Sequence, residues 1–366
     1  KKESTTTVPI KEAIDTSKYN LYTYSIPFWT GNIVYNESVY PMTTQNGENE
    51  VIQLLYDAVE IIEVRSSDLK KVYKAGVDYK LENGKLVIPK GSSIPVNSYN
   101  DYYLANPLAN NSQKRLNGGY IYFSEGDVFH KRQIAVTYRH NKKWNGPIPA
   151  KQGSKLPKLQ AAINNKDPLT IVYYGDSISC GANASSTVGA APMAPSWPQM
   201  FTASLEKMGL YVTDFNTSMG GQISQWGVTN VQSKVIRYTP DLVVLGWGMN
   251  DGTKWNNVSP DTYKNNIKQI INKIRASLPD CEFILIGTML PNPEAVEFVG
   301  PHEEYTAKLY EIQKEYSGVA VANMTEIHKY MLTRKKYRDM TGNNVNHPND
   351  FLSRVYLQVL LETLSK

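Results

Sequence analysis

Two patterns of hydrophobic and polar residues divide the chain near residue 150. Between about 20 and 140, short apolar stretches alternate with turn residues, and no helical period of useful length occurs. Asn83-Gly84 between alternating apolar residues predicts a β-hairpin, since both turn positions need a positive φ. The pattern predicts a β-sandwich, jelly-roll-like accessory domain over residues 1–150. The Pro- and Gly-rich stretch 145–153 predicts the linker that ends it.

Strands that alternate with helices are predicted over residues 151–366. Apolar and β-branched runs predict strands at 170–174, 211–215, 241–246, 282–288 and 318–322. This alternation is typical of a parallel sheet, because a parallel connection needs a crossover, usually a helix. The sequence therefore predicts an α/β fold, a three-layer α/β/α sandwich with a parallel sheet.

Helix boundary residues support this assignment. Ser196-Trp197-Pro198 predicts a helix start and Gly209 predicts its end. Ser259-Pro260 predicts the start of a second helix. Asp350 is predicted to cap the final helix.

Composition excludes several classes of protein. The formal net charge of +5 is spread along the chain and forms no nucleic-acid footprint. No apolar stretch approaches the roughly 18–20 residues of a membrane span. Cys180 and Cys281 have no metal-ligand spacing, and we expect two buried free thiols rather than a disulfide.

The first seven residues are polar and rich in threonine, and they have no signal-peptide core. A tether that remains after signal cleavage looks like this, and so does a truncated chain. We expect a secreted or cell-surface bacterial protein, with a cytoplasmic location left open. The oligomeric state is not indicated.

A candidate nucleophile, Ser177, follows the first predicted strand of the α/β segment. Gly175-Asp176-Ser177 stands where the run 170–174 ends, and ligands of open α/β sheets bind at this edge. A serine hydroxyl needs a base within hydrogen-bond reach. Of the five histidines, His347 is the one predicted in a loop at the same edge, just before the last helix.

Candidate donors for a developing oxyanion follow two further strands. Gly248-Met249-Asn250-Asp251 offers the amide of Asn250, and Gly220-Gly221 offers a backbone N–H. Acyl transfer needs such donors fixed and aimed at the position where negative charge develops. A nucleophile, a base and amide donors at successive strand ends together indicate acyl transfer.

These residues resemble the conserved blocks of the SGNH hydrolases, also called the GDSL esterase/lipase superfamily. The matching residues are Gly175-Asp176-Ser177, Gly221, Gly248 to Asp251, and His347 with Pro348, and the resemblance covers roughly residues 165–366. It implies a flavodoxin-like SGNH fold in which Ser177 is the nucleophile and His347 is the general base. It also implies an oxyanion hole formed by the N–H groups of Ser177 and Gly221 and the side-chain amide of Asn250.

The sequence departs from the family three residues before the histidine. The family usually has an aspartate there, which orients and stabilises the imidazolium, whereas this chain has Asn344. Asparagine can fix a ring by hydrogen bonding but brings no negative charge. Three interpretations stay open: Asn344 or a backbone carbonyl orients the ring of a Ser-His dyad, Asp339 or Asp350 is a displaced acid, or the site is impaired.

An appended aromatic-rich β domain is similar to the arrangement in bacterial esterases that deacetylate plant polysaccharides, which is an argument by analogy. The predicted function is a serine esterase that removes O-acetyl groups from a carbohydrate through an acetyl-serine intermediate, without metal or organic cofactor. A lysophospholipase or acyl-thioesterase, and a carbohydrate-binding protein with an impaired site, are the alternatives. Trp226, Trp247 and Trp255 are candidates for sugar stacking, with two of the three expected in the core.

Overall fold

A five-stranded parallel sheet with helices on both faces follows a β-rich segment. We call residues 14 to about 150 the N-terminal segment. The structure, a computed structural model, describes residues 14–366. The polar tether expected at residues 1–7 lies outside the described residues.

The strands are β1 (Ile33–Val39), β2 (Ala58–Ser66), β3 (Lys80–Glu82), β4 (Lys85–Val87), β5 (Tyr103–Leu104), β6 (Ser112–Lys114), β7 (Tyr120–Tyr122), β8 (Ile134–His140), β9 (Leu169–Gly175), β10 (Val212–Asn216), β11 (Leu242–Gly246), β12 (Glu282–Gly287) and β13 (Val319–Asn323). The α-helices are α1 (Leu21–Ser25), α2 (Tyr99–Tyr102), α3 (Val128–Lys131), α4 (Pro157–Asn165), α5 (Ser177–Cys180), α6 (Trp197–Lys207), α7 (Ser224–Lys234), α8 (Pro260–Ser277), α9 (His302–Glu315), α10 (Met324–Met331) and α11 (Asp350–Leu364). Short 3-10 helices lie at Gly153–Lys155, Ile236–Tyr238 and Tyr337–Asp339.

The large sheet has the strand order β10-β9-β11-β12-β13, and all its neighbouring strands are parallel. Alternate residues of β9 enter different hydrophobic clusters: Ile171 and Tyr173 pack with α4, α6, α10 and α11, whereas Val172 and Tyr174 pack with α7, α8 and α9. Both faces of the sheet are therefore buried under helices. This confirms the predicted three-layer α/β/α arrangement, and the five predicted strands are all present.

Helix caps follow the local sequence. Ser196 and Gln199 form a capping box at the start of α6, and the Ser259 hydroxyl accepts from Thr262 N at the start of α8. The prediction for α11 is wrong by one residue, because Asn349 Oδ1 accepts from Leu352 N at 3.0 Å. Asp350 is the first residue of that helix and accepts instead from Ser185 N, at 2.8 Å.

The N-terminal segment contains small antiparallel sheets in the orders β1-β8-β2 and β5-β7-β6, and the hairpin β3-β4. Asn83 and Gly84 have φ values of 50° and 77°, which confirms the predicted turn. The segment is thus β-rich with only short helices. A β-sandwich or jelly roll stays a prediction.

A common hydrophobic core joins the N-terminal segment to the parallel-sheet layer. Tyr24 and Phe28 belong to the same buried cluster as residues of α11. The side chain of Gln358 on α11 donates to Tyr24 O at 3.0 Å and accepts from Phe28 N at 3.2 Å. The predicted boundary near residue 150 is therefore crossed by one core, and the division into two domains stays a prediction.

A fully buried ion pair also crosses this boundary. Lys335 Nζ contacts Glu37 Oε1, and both side chains are completely inaccessible. Glu37 also accepts from Leu55 N at 2.9 Å and from the Tyr138 hydroxyl at 2.7 Å. The polar atoms of the carboxylate are thereby satisfied, as a buried charge requires.

Both cysteines are free, but the expectation that both are buried is wrong for one of them. Cys281 is buried, whereas Cys180, at the end of the short helix α5, is exposed. No helix within residues 14–366 has the length and apolar character needed to cross a membrane.

We expect Lys335→Met to lower the free energy of unfolding by about 3–5 kcal/mol, because Glu37 would stay buried without its charge partner. Arg139→Met is the control, since Arg139 pairs with Glu60 at 3.1 Å on the exposed surface and should contribute less than about 1 kcal/mol. Equilibrium urea unfolding measures both variants. Equal losses in the two would contradict the stabilising role of the buried pair.

Candidate active site

Ser177 lies at the carboxyl edge of the parallel sheet, where β9 turns into α5. Asp176 caps this short helix, with its Oδ1 accepting from Ile178 N at 3.0 Å. Gly175 has no room for a side chain, because a Cβ there would overlap the carbonyl of Gly246 on the neighbouring strand β11. The turn is consequently tight, and Ser177 is 9% exposed at the rim of the sheet.

The structure brings His347 to Ser177. His347 Nε2 lies 2.8 Å from Ser177 Oγ, although the residues are 170 positions apart in sequence. His347 is in the loop between the last 3-10 helix and α11, as predicted. Both residues therefore occupy the same edge of the sheet.

Polar side chains within the histidine loop fix its backbone. Asn343 Oδ1 accepts from the N–H groups of Val345, Asn346 and His347 at 3.0–3.1 Å. The Thr341 hydroxyl donates to His347 O at 2.9 Å. Buried backbone groups in an irregular loop need such partners, so the Asn- and Thr-rich sequence of this loop has a structural cause.

The second ring nitrogen of His347 faces two side chains that sequence reasoning missed. Nδ1 lies 2.6 Å from Asn183 Oδ1 and 3.5 Å from Glu125 Oε2. Asn183 Nδ2 donates to Gly126 O and Gly342 O at 3.0 and 3.2 Å, so its oxygen must face the ring. Nδ1 then carries the proton, and Nε2 is free to accept from the Ser177 hydroxyl.

Within residues 14–366, none of the three side chains suggested by sequence as partners of His347 is hydrogen-bonded to it. Asn344 Oδ1 accepts from the Tyr102 hydroxyl at 2.9 Å, and its Nδ2 donates to Tyr122 O at 2.7 Å. Asp339 accepts from Tyr40 N at 2.7 Å, and Asp350 accepts from Ser185 N. Asn344, three residues before the histidine, attaches the loop to the N-terminal segment.

The candidate oxyanion donors surround the same strand ends. Ser177 is the first residue of α5, so its N–H has no partner inside the helix. Gly221 has a φ of 75° and follows Gly220, where a Cβ would lie 3.7 Å from Ser177 Cβ. Asn250 Nδ2 donates one hydrogen to Gln222 O at 2.9 Å, which leaves its second hydrogen for a ligand.

Asp251 ties the Asn250 turn to the helix that follows Gly221. Both its carboxylate oxygens accept from Ser224 N at 3.1 Å, and one accepts from the Ser224 hydroxyl, at the start of α7. A carboxylate at a helix N-terminus suits the positive end of the helix dipole. The two loops that carry candidate donors are therefore held as one unit.

Two buried carboxyl groups lie beneath these loops. Burial, together with the repulsion of Asp251, raises the pKa of Asp176 to about 7. Burial raises the pKa of Asp251 to about 6, against the opposing effect of its bonds to Ser224. A carboxyl that is partly neutral near pH 7 repels a developing oxyanion less than an ionised one does.

Two histidines on helices, His302 in α9 and His328 in α10, have structural contacts. His302 is buried, and its Nε2 lies 3.0 Å from Met249 O beside the Asn250 turn. His328 Nδ1 accepts from Leu290 N at 3.0 Å, and burial lowers its pKa to about 3. Within residues 14–366, no cluster of His, Cys, Asp and Glu side chains is arranged to hold a metal ion.

The chain is similar to several known proteins. A curated arylesterase from Vibrio mimicus is 29% identical over 119 residues, which is 32% of this chain and 54% of that protein. A two-domain esterase active on acetylated mannans is 20% identical with a TM-score of 0.46, over 60% of this chain and 54% of that one. An acetylxylan esterase from Geobacillus stearothermophilus is 15% identical with a TM-score of 0.44, over 54% of this chain and 94% of that one.

The chain thus spans about half the length of the curated relative and of the mannan esterase. The model of the GDSL-like lipase/acylhydrolase family matches residues 173–353, the segment that contains Ser177, Gly221, Asn250 and His347. Residues 173–353 therefore belong to the GDSL-like lipase/acylhydrolase family.

Proposed function

We propose that this protein is a serine esterase that releases acetyl groups from a carbohydrate. The observation that carries the esterase activity is the 2.8 Å contact between Ser177 Oγ and His347 Nε2, with Nδ1 held by Asn183. A nucleophile and base in this geometry are what acyl transfer requires. The family of residues 173–353 supports the same reaction class.

In the proposed reaction, Ser177 Oγ attacks the acetyl carbonyl carbon while its proton passes to His347 Nε2. The carbonyl oxygen becomes an oxyanion. When the tetrahedral intermediate collapses, the ester C–O bond breaks, and the leaving alcohol takes the proton from His347. Water, deprotonated by the same nitrogen, then attacks the acetyl-serine carbonyl carbon. The bond between the acetyl group and Ser177 Oγ breaks, acetic acid leaves, and Oγ takes the proton back from His347.

We propose the N–H groups of Ser177 and Gly221 and the free amide hydrogen of Asn250 as the donors to the oxyanion. Each belongs to a turn whose backbone is fixed before substrate arrives, because Asp176, Asp251 and Gln222 hold these turns. Prearranged donors need no reorganisation as the charge develops, which is the source of their effect on rate.

An exposed aromatic side chain supports the carbohydrate part of the proposal. Trp255 is 60% exposed on the loop that follows Asn250, whereas Trp247 is buried and Trp226 is partly buried against the core. The Trp255 ring packs edge-on against Phe298 at 5.1 Å, and Asn256 Nδ2 donates to Asn250 O at 2.8 Å. These two contacts tie the loop to Phe298 and to the Asn250 turn, and the exposed Trp255 ring suits stacking on a sugar.

A polymeric substrate would place the protein outside the cell, at its surface or secreted, and we include this location in the proposal. The N-terminal segment is proposed as an accessory domain of the esterase.

The similarity to a protein named arylesterase makes aryl acetates the first substrates to test. A preference for long acyl chains would favour the lysophospholipase or thioesterase alternative.

We expect Ser177→Ala to lower the rate of 4-nitrophenyl acetate hydrolysis by about a thousandfold or more, because the nucleophile is lost. Cys180→Ala is the matched control, since Cys180 is exposed at the other end of the same short helix. Its rate should stay within about twofold of the unmodified protein. Steady-state release of 4-nitrophenol measures both, and an active Ser177→Ala protein would refute the proposed nucleophile.

We expect Trp255→Ala to raise KM for an acetylated xylo- or manno-oligosaccharide by about two- to tenfold, the value of one aromatic contact. The rate with 4-nitrophenyl acetate should not change, because that substrate has no sugar to stack. Tyr211→Ala is the control, since Tyr211 is 74% exposed at the opposite edge of the sheet. Acetate release at varied oligosaccharide concentration measures the effect, and an unchanged KM would remove Trp255 from the proposed sugar site.

A further inference from the structure

We infer that two residues share the support of the catalytic histidine: Asn183 orients the ring through Nδ1, and Glu125 of the N-terminal segment supplies the negative charge. Both are positioning residues, and the inference rests on the proposed function. In a Ser-His-Asp triad one carboxylate performs both tasks. Here the position three residues before His347 holds an asparagine whose side chain is bonded elsewhere.

The neutral side chain of Asn183 orients the His347 ring. Its Oδ1 lies 2.6 Å from Nδ1, and both hydrogens of its Nδ2 go to backbone carbonyls, so the amide cannot flip without losing two bonds. The carbonyls belong to Gly126, in the N-terminal segment, and Gly342, in the histidine loop. The amide group thus sets the tautomer and the plane of the ring together.

Glu125 is placed to act by charge. Its Oε2 lies 3.5 Å from Nδ1, which is beyond a good hydrogen bond but close for an ion pair once the ring is protonated. Its Oε1 accepts from Asn343 Nδ2 at 3.0 Å, and Asn343 is the residue that holds the backbone of the histidine loop. The carboxylate is therefore anchored to the element that carries the ring.

The surroundings of Glu125 keep it ionised. Burial raises the pKa of the carboxyl, but the attraction of the neighbouring His347 ring and the hydrogen bond from Asn343 outweigh burial and hold the pKa below its usual value. The side chain is 54% exposed, so water and salt screen its effect on the ring.

No other carboxylate competes for this role within residues 14–366. Glu125 is the carboxylate found within 4 Å of the His347 ring there. Asp176 faces the N-terminus of α5, Asp350 faces Ser185 N, and Asp339 faces Tyr40 N and Lys336 N. The N-terminal segment thereby completes the site, through Glu125 and Gly126, as well as attaching the loop through Tyr102 and Tyr122.

The test compares Glu125→Gln and Glu125→Asp by the pH dependence of kcat/KM with 4-nitrophenyl acetate. Glutamine keeps the shape and loses the charge, so we expect a three- to tenfold loss at neutral pH, roughly the value of a screened charge at this distance. The acidic limb should move to lower pH, because the protonated imidazole loses an attractive charge. Aspartate should restore part of both effects.

Two further measurements, the salt dependence and the Asn183→Ala variant, distinguish the effect of the Glu125 charge from a structural effect. In about 1 M NaCl the acidic limb of the unmodified protein should approach that of Glu125→Gln, whereas Glu125→Gln should hardly respond. Asn183→Ala should lower kcat by about a hundredfold or more, because the ring loses its fixed orientation. Glu60→Gln, an exposed carboxylate of β2, is the control for the charge change.

The outcomes distinguish this inference from the proposed function. If Glu125→Gln keeps the rate and the acidic limb of the unmodified protein while Ser177→Ala is inactive, the inference is wrong and the esterase proposal stands. A slower Glu125→Gln with an unmoved limb, no better in Glu125→Asp, assigns a merely structural role and also overturns it. An active Ser177→Ala overturns both.

Discussion

The close approach of β9 and β11 at their carboxyl ends is the constraint on which the site depends. Gly175 and Gly246 are register partners, and Asp176 N donates to Gly246 O at 3.1 Å. A side chain at Gly175 would separate the strands. Because both strands end together, the turn with Ser177 and the turn with Asn250 emerge side by side. The proposed oxyanion donors would therefore be in place before any substrate binds.

The histidine depends on a different part of the molecule. Its loop is held from within by Asn343 and Thr341 and is attached to the N-terminal segment by further hydrogen bonds. The Tyr102 hydroxyl and the Tyr122 carbonyl bind the side chain of Asn344, and Gln133 Nε2 donates to Arg338 O and Thr341 O at 2.9 Å. The buried ion pair between Lys335 and Glu37 joins the two parts of the chain just before the last 3-10 helix, which leads into the histidine loop. His347 can therefore reach Ser177 only when both parts of the chain are folded together.

Much of this could be predicted from the sequence, and the reasons are local. Four of the five parallel strands, β9, β11, β12 and β13, are nearly continuous apolar runs. The helices α6 and α8 begin with a serine and a proline within the first turn, so their caps identify them. Ser177, Gly221, Asn250 and His347 stand at strand ends or in a loop of polar residues. Asn349 rather than Asp350 caps α11, because either side chain can accept the same N–H and only the backbone decides between them.

The partners of the histidine could not be found in this way. Asn183 and Glu125 have no motif around them, and they meet His347 only through contacts 164 and 222 residues apart in sequence. Asn344, which occupies the expected position of the acid, has a φ of 77° and is buried. Its left-handed backbone suits asparagine, and its side chain is committed to the Tyr102 contact, so residue type alone gave the wrong partner.

There is an energetic reason for a half-exposed Glu125 beside the ring in place of a fully buried acid. A fully buried acid beside the ring would be desolvated at a cost of several kcal/mol, which its attraction to the imidazolium would have to repay. At 3.5 Å two unit charges interact by about 1 kcal/mol in bulk water and about 5 kcal/mol at an effective dielectric constant of 20. For a half-exposed carboxylate the interaction energy is closer to the value in water, but the carboxylate keeps most of its hydration. In the inferred arrangement, Glu125 gives the protonated ring a modest, salt-sensitive stabilisation. The neutral amide of Asn183 sets the orientation of the ring, and burying an amide does not desolvate a charge.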